Sequence, residues 1–466
     1  MKVRKLIVED VRCFAGRQEF NIRPLTFLTG ENSTGKTTVL GSLQTLHDFF
    51  RGAPSGLNFN SDPYQMGAFT NIVRRSKPRI HQFKIGFEAY FAETNNSVEY
   101  TLTLSEREGG AEPCITKQEV FTPVGELEFS GLSNEEYISQ TRSEWDSPLT
   151  SRKRIKERNS GSGEYDRFYL NVSDHWLQSA LLALLARFKT GVDIKRIVSE
   201  KEPIGSSRLH DEVAFGKFTE QFTELVGFGT YEKPKRIRIE PPWIYSFAPL
   251  RSKPQRTYNP LREDLFTDGS DVPMIMMNLA RVREESWESL RSSLKEFGKS
   301  SGLFTDVDVR KLGASSGDPF QLQVKVRGPK VNVIDVGYGV NQILPILVHI
   351  LTDQDNTVFL MQQPEVHLHP KAQAELSSLI ISLIKQNGNE FILETHSDHM
   401  INRARIEIMN GTISPKDVSL VYLEPVGNSV KVHNIKFDIQ ANLIGAPQGY
   451  RDFFINESDK LLGFSK

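Results

Sequence analysis

The stretch "LTFLTGENSTGKTTVLGSLQTL", residues 25–46, decides how this chain begins to fold. An apolar strand runs straight into a loop bounded by Gly30 and Gly35, and Leu40, Leu43, Leu46 and Phe50 then recur at helical spacing. Strand, loop and helix in that order are the setting in which Gly30-x-x-x-x-Gly35-Lys36-Thr37 works as a phosphate cradle. The two glycines permit a tight loop. Its amides, from Gly30 through Asn32, Ser33, Thr34 and Gly35 to Thr38, then face phosphate oxygens, and the helix N-terminus adds positive potential. Lys36 reaches the β- and γ-phosphates and Thr37 is placed to ligate Mg²⁺, so ATP with Mg²⁺ is the expected ligand pair.

On the N-terminal side, Val3, Leu6, Val8 and Val11 read as short strands. Beyond the helix, Phe83, Ile85, Phe87, Ala89 and Phe91 alternate with polar residues, a polar turn follows at Asn95 and Asn96, and Val98, Tyr100, Leu102 and Leu104 alternate again. This pattern predicts an antiparallel hairpin with one buried face. From about residue 130 to 165 the chain becomes charged and rich in Gly and Ser, the composition of an exposed linker. A helix is expected from a cap at Ser173 or Asp174, with Trp176, Leu177, Ala180, Leu181, Leu184, Leu185 and Phe188 as its stripe. The expected division is therefore 1–150, with the phosphate loop and the antiparallel strands, then a mainly helical insertion over 151–240, then 241–466.

The final half returns to α/β character. "NTVFLMQQPE" starts with a buried strand, "PKAQAELSSLIISLIKQNG" is a helix with a glycine stop, and "EFILETHSD" is a second strand with a polar end. Strands with polar ends, separated by helices, predict a mainly parallel sheet whose site lies along the strand ends.

Three further segments carry chemistry. In "VFLMQQPEVHLHP", residues 358–370, the strand end that would ordinarily offer a Mg²⁺-holding carboxylate and then a water-polarising one reads Gln362 and Gln363. An amide oxygen ligates weakly, and an amide is no proton acceptor. Glu365 is the nearest replacement, and Glu394 in "LETHSDH" is a second candidate. His396 in that same segment is placed to contact a γ-phosphate or its attacking water. His367 and His369 form an "HLH" pair that invites a transition-metal reading, without an evident third ligand nearby. In "DVGYGVNQILP", residues 335–345, Gly337 and Gly339 open backbone amides near a helix start.

Taken in order, these segments resemble the ABC-type ATPase heads of the RecF/SMC/OLD-like class, particularly stand-alone prokaryotic AAA-family ATPases. The resemblance covers residues 1–80 and about 245–466. It implies an α/β fold, an ABC-type P-loop ATPase head with a mixed or parallel sheet, an antiparallel β lobe and a helical insertion. It also implies that Gly337, Gly339 and Asn341 belong to a signature segment that completes the ATP site of a second copy, in a head-to-head dimer or higher oligomer. Gln362 and Gln363 would then occupy the Walker B positions, His396 would be the switch histidine, and Gln65 in "DPYQMGAF" would fall at the Q-loop. Glutamine at both Walker B places leaves binding expected and fast hydrolysis in question. The stretch after His396 is too short for the nuclease domain that OLD proteins carry there.

Chains of this size and layout resemble the ATPase subunits of antiphage defence systems such as Septu and PARIS. That implies an ATP-binding sensor and scaffold, a separately encoded nuclease effector and a phage-derived trigger. The alternative is a RecF-like DNA-binding repair ATPase, for which "SRKRIKER" and "KPKRIRI" offer local positive charge. The formal net charge of −1 argues against a global field drawing the chain to nucleic acid or anionic membrane. No run reaches the roughly 18 apolar residues that span a bilayer. The two cysteines, Cys13 and Cys114, make no disulfide framework, and a cytoplasmic location is expected. "FAPLRSKPQRTYNP", residues 247–260, sets Arg251, Lys253 and Arg256 among prolines, suited to an ordered loop on a phosphate or a partner subunit, or to a surface crossover.

Overall fold

A computed structural model describes residues 2–50, 57–91, 96–107, 111–122, 125–130, 243–249, 251–259, 267–315, 317–352 and 356–450. The helical insertion expected over 151–240, the helix stripe from Trp176 to Phe188 and both basic segments lie outside the described residues. The chain forms two compact units, and they interleave along the sequence.

The first unit comprises Met1–Arg12, Thr45–Asn58 and Gly67–Pro241. Its strands β1 (Lys2–Glu9), β4 (Gln82–Phe91), β5 (Asn96–Glu106), β6 (Pro113–Thr122) and β7 (Gly125–Ser130) pair in that order, each antiparallel to the next. The expected hairpin is β4 with β5, in a register that sets Ile85 opposite Leu102 and Phe87 opposite Tyr100. Phe83, Ile85, Phe87 and Ala89 are buried, as are Val98, Tyr100, Leu102 and Leu104, which is the period-two face read from the sequence. Phe50 meets Phe87 and Tyr100 edge-on at 5.0 and 4.8 Å, contacts each adding about 0.5–1.5 kcal/mol beyond their area. A short helix, α2 (Phe69–Ile72), lies between β1 and β4 in the chain.

The second unit comprises Cys13–Gln44, Phe59–Met66 and Pro242–Lys466, and it holds every candidate site residue. Its seven-stranded sheet runs β16 (Leu443–Ile444), β15 (Ser429–Phe437), β14 (Val418–Val426), β3 (Leu25–Gly30), β13 (Glu390–Glu394), β12 (Val358–Gln362) and β8 (Ile244–Phe247). Strands β14, β3, β13, β12 and β8 are parallel, and β15 and β16 are antiparallel. The sheet is thus mixed, in keeping with the expected α/β class. Strand β2 (Arg17–Asn21) is held by Asn434 of β15, which accepts the Asn21 amide and donates to the Glu19 carbonyl.

All five residues of β12 and all five of β13 are buried, the pattern of parallel strands covered on both faces. Phe359 and Phe391 stack at 4.9 Å, and Phe247 lies 6.3 Å from Phe359. Helix α1 (Lys36–Phe50) follows β3, and α6 (Pro370–Asn387) joins β12 to β13. His369 caps α6, Pro370 occupies its first turn, and Gly388 stops it at a φ of 67°, a left-handed position that suits glycine. Helix α7 (Asp398–Met409) begins where Ser397 accepts the Met400 amide.

Helices α3 (Val272–Val282), α4 (Glu284–Ser301) and α5 (Tyr338–Thr352) share the core of this unit. A small antiparallel sheet of β9 (Asp306–Lys311), β10 (Phe320–Lys325) and β11 (Val331–Asn332) packs with them. The parallel pairing brings the carboxyl ends of β3, β13, β12 and β8 to one edge, and Gly30, Glu394, Gln362 and Phe247 mark it.

Candidate nucleotide site

The phosphate loop leaves β3 at Gly30 and enters α1 at Lys36. Gly30 and Gly35 have φ of 144° and 90°, and Ser33 is left-handed at 64°. A Cβ on Gly30 would meet the Leu423 carbonyl at 2.6 Å, and one on Gly35 would meet Cys13 Sγ and Phe14 at 2.7 Å. Glycine is therefore required twice here, by conformation and by space. Thr34 Oγ1 donates to the Glu31 carbonyl, which closes the loop on itself. Asn32, Ser33 and Thr37 are exposed around the loop, whereas Thr34 and Thr38 are buried beneath it. The Lys36 ammonium lies inside, 4% exposed, donating to the carbonyls of Gly30 at 3.1 Å and Glu31 at 2.7 Å. Burial lowers its pKa, against the pull of Glu394. A phosphate offered to the loop supplies the negative partner that those neutral carbonyls lack.

Glu394 ends β13, next to the phosphate strand. Its Oε2 accepts a hydrogen bond from Thr37 Oγ1 at 2.9 Å. Gln362 stands opposite it in the parallel register and contributes a side-chain hydrogen bond to the same carboxylate. Burial raises the Glu394 pKa, opposed by Thr37, by the charge of Lys36 and by Gln362. Of the two carboxylates considered as replacements for the glutamine pair, Glu394 is the one that touches Thr37. The Thr37 hydroxyl, the Glu394 carboxylate and the Gln362 carboxamide oxygen are hard oxygen donors, a set that fits Mg²⁺.

Glu365 sits lower. It is buried, and its Oε1 accepts the His396 amide at 2.8 Å, with the Thr395 hydroxyl alongside. Burial raises its pKa, opposed by these bonds and by the Arg251 charge. Gln363, left-handed at a φ of 44°, turns the chain out of β12 while its amide bonds the Glu394 carbonyl at 2.8 Å. The strand ends are thereby laced to each other, Gln363 to Glu394 and His396 to Glu365. The His396 ring is exposed at this edge, and burial of its inner part together with the nearby Lys36 lowers its pKa. It is a neutral imidazole at physiological pH, able to donate or accept.

Gln65 is exposed and donates to Asp62 Oδ1 at 3.1 Å. Its neighbours Tyr64 and Met66 are buried and pack against Gly41 of α1. Gly337 and Tyr338 are exposed at the start of α5, and Gly339 stands so close to the His367 carbonyl that a Cβ would meet it at 2.8 Å. Asn341 is buried, and its Oδ1 has no hydrogen-bond partner. The "HLH" residues have structural work: His369 Nδ1 accepts the Lys371 amide, and the His367 ring meets Tyr338 edge-on at 4.7 Å. No group of three or more His, Cys, Asp or Glu side chains among the described residues is arranged to hold a metal. No helix among them is long and apolar enough to cross a membrane.

The sequence named Thr395 and Arg251 without fixing a role for either: Thr395, flanked by Glu394 and His396, lies beside Glu365, and Arg251, read as part of an ordered loop or of a surface crossover, is buried at 5% exposed. Neither has a spacing signal, because each depends on which strand lies beside which.

No curated protein matches the chain. Among solved structures it is similar to an SMC head bound to the C-winged helix domain of ScpA, with 11% identity over 94% of this chain and 98% of that one at a TM-score of 0.43. It is also similar to an SMC head with an extended coiled coil bound to the C-terminal domain of ScpA from Pyrococcus furiosus (10% identity, 99% and 98% covered, TM-score 0.41). A third is the SMC head domain from Thermotoga maritima (8% identity, 93% and 99% covered, TM-score 0.37). Residues 272–401, which include Gly337, Gly339, Glu365, Glu394 and His396, match the family described as "AAA ATPase domain". Residues 25–164, which carry the phosphate loop, match the family described as "AAA domain, putative AbiEii toxin, Type IV TA system".

Proposed function

We propose that the chain is an ATP-binding sensor and scaffold subunit of an antiphage defence system, which oligomerises and controls a separately encoded nuclease effector. The observation that carries the nucleotide part is the 2.9 Å contact between Thr37 and Glu394. It sets a carboxylate beside the threonine of the phosphate loop, although both glutamines of "QQPE" lack one. Lys36 and the loop amides bind the triphosphate. Thr37, Glu394 and Gln362 would hold Mg²⁺, which would neutralise phosphate charge. Gln363, Glu365, Glu394 and His396 make up the catalytic group of this reading. Within it His396 would contact the terminal phosphate or its attacking water, and Glu365 accepts the His396 backbone amide. Glu394, bonded by Thr37, would be engaged as a ligand and not free as a base when it held Mg²⁺, so slow turnover and a long-lived bound state are expected.

Support for the defence setting is the description of the family matched by residues 25–164, together with the motif order. In this reading Gly337, Gly339 and Asn341 of one copy complete the nucleotide site of another, Gln65 serves as the Q-loop residue, and a phage protein is the trigger. The division into 1–150, 151–240 and 241–466, the cytoplasmic location and the absence of a membrane role belong to the same proposal.

The test is to purify the protein alone and with the product of its neighbouring gene. Nucleotide binding, particle mass and DNA cleavage are followed with ATP, with ADP and with a non-hydrolysable analogue. Nucleotide-dependent assembly, with a nuclease whose activity follows nucleotide state, is expected. Absence of any nucleotide binding would overturn the whole reading. Binding without a complex or cleavage would remove the effector role and leave the nucleotide switch.

A further inference from the structure

Helix α6 opens at Pro370, and Gln373 lies half-buried in its first turn. Two segments of the nucleotide site meet at that side chain. One is the turn after β12, which carries Glu365 and His367, and the other is the run from Glu394 to Ser397, which carries His396 and the cap of α7. The Gln373 carboxamide bonds both. Its Nε2 donates to the Leu368 carbonyl at 2.9 Å, and its Oε1 accepts from Ser397 Oγ at 2.5 Å. The partners dictate this orientation. A carbonyl can only accept, so the amide nitrogen must face Leu368, which leaves the amide oxygen for the Ser397 hydroxyl. That hydroxyl accepts the Met400 amide at 3.1 Å, and its own proton goes to Gln373. Leu368 and Ser397 are each 6% exposed, so losing the carboxamide leaves buried polar groups unpaired.

The turn is itself anchored. The His367 ring meets Tyr338 edge-on at 4.7 Å, and its carbonyl lies where a Cβ on Gly339 would meet it at 2.8 Å. The Leu368 amide bonds the Glu365 carbonyl at 3.0 Å. From this fixed turn two ties run to the neighbouring segment, Glu365 Oε1 to the His396 amide at 2.8 Å and Gln373 to Ser397. His396 is held from both sides along the chain, through its own amide and through the residue that follows it.

We infer that Gln373 is a positioning residue of the nucleotide site: it bolts the capped segment that presents His396 to the anchored turn after β12. The inference rests on the nucleotide reading above. Gln373 acts through Leu368 and Ser397, and the phosphate loop and the Thr37–Glu394 contact do not depend on it. Its loss therefore leaves nucleotide affinity in place while loosening the segment around His396.

The experiment compares wild type, Gln373→Met, Ser397→Ala and the double variant Gln373→Met/Ser397→Ala. Hydrogen–deuterium exchange over Thr395–Met400, with the β9–β10 pair as a distant control, is measured beside ATP affinity and ATP turnover. Gln373→Met is expected to speed exchange at Thr395–Met400 about fivefold, the effect of one hydrogen bond lost from a local opening, with the control unchanged. Turnover should fall about tenfold, the scale on which outer-shell partners act, while affinity stays within about threefold. Because the two side chains share one bond, the double variant should lie within about twofold of the more impaired single variant. If Gln373→Met does not fold, Gln373→Asn, one methylene too short to reach both partners, carries the same comparison.

Unchanged exchange at Thr395–Met400, exchange that rises equally in the control, or a Gln373→Met effect that is equally large with and without Ser397→Ala overturns the inference. A wild type that binds ATP without turnover removes only the hydrolytic part of the proposed function, and the exchange and double-variant comparisons still decide for or against Gln373. A wild type that binds no nucleotide overturns the site reading and the role of Gln373 with it.

Discussion

Moving the carboxylate between two neighbouring strands is the sharpest test of the nucleotide site. Gln362 and Glu394 are paired across β12 and β13, and Glu394 alone of the two bears charge. Parallel strands lie about 4.8 Å apart, so a second carboxylate at position 362 would sit roughly 5 Å from the first. With an effective dielectric of about 20, two charges at that distance repel by about 3 kcal/mol. Gln362→Glu is therefore expected to lower the melting temperature in EDTA and to recover with Mg²⁺, which gains a second anionic ligand. Glu394→Gln acts the other way. The charge-assisted bond from Thr37 is worth about 1.5–3 kcal/mol, but the amide also escapes the cost of burying a carboxylate. Apo stability thus changes by no more than about 1 kcal/mol, while Mg²⁺-dependent ATP affinity falls about 10- to 100-fold. The exchanged pair Gln362→Glu/Glu394→Gln restores most of that affinity, because the charge returns one strand away. Calorimetric titration of ATP with Mg²⁺ and with EDTA, beside thermal melts, reads all four proteins. Undiminished Mg²⁺-dependent binding in Glu394→Gln, or a metal-free stability gain in Gln362→Glu, would refute the assignment.

Other expectations are simpler. Lys36→Ala removes the ammonium inside the loop and is expected to weaken ATP binding by at least about tenfold in the same titration, since a charged partner to phosphate contributes about 1.5–3 kcal/mol. Gly35→Ala forces a Cβ within 2.7 Å of Cys13 Sγ and Phe14 at a φ of 90° and should cost about 2–4 kcal/mol by chemical denaturation, a loss that nucleotide does not restore. His369→Ala removes a helix cap and lowers stability by about 0.5–2 kcal/mol, equally with and without chelator; a chelator-dependent loss would revive the metal reading. Asp306 is pushed up by burial but held down more strongly by Arg291 and Lys330 together, which brings its pKa from 3.8 to about 2. Because the folded pKa is the lower one, its contribution is complete above about pH 4 and is lost as pH falls towards about 2. Asp306→Asn should flatten that part of an acid unfolding curve.

What the sequence made legible follows the range of each interaction. The phosphate loop is local. Glycine spacing, the apolar strand before it and the helical stripe after it are all written within residues 25–50, and the structure keeps each in place. The hairpin of β4 and β5 and the strand–helix–strand of β12, α6 and β13 are local in the same sense, with period two or 3.6 carrying the signal. His369 reads with His367 as a metal pair, whereas a polar residue before Pro370 and a helical run takes the capping position. The choice between Glu365 and Glu394 was not local. It depends on β13 lying between β3 and β12, which puts Glu394 rather than Glu365 at Thr37, and linear spacing has no access to that order. The burial of Arg251 was hidden for the same reason: among prolines and other basic residues it reads either as part of an ordered loop on a phosphate or partner subunit or as a surface crossover, and neither reading sets its depth.

Placing the carboxylate on β13 has a mechanical consequence. Were it on β12, the carboxylate beside Thr37 would sit on a different strand from His396, free to shift against it. In this chain Glu394 and His396 are separated by Thr395 alone, so whatever displaces one displaces the other. The strand that lacks a carboxylate at 362 offers one at 365, and that group holds the His396 amide from below, while the Gln363 amide bonds the Glu394 carbonyl from the side. Each strand end is therefore braced by the other. A braced site is preorganised for binding and resists the rearrangement that turnover and release demand. The expected kinetic signature is tight nucleotide binding with release or turnover on the scale of minutes. Loosening the brace with Glu365→Gln should speed exchange of bound nucleotide more than it weakens affinity. A wild type that turns over many ATP molecules per second, or a Glu365→Gln protein whose nucleotide exchanges no faster, would contradict the bracing argument even if the binding site itself proves correct.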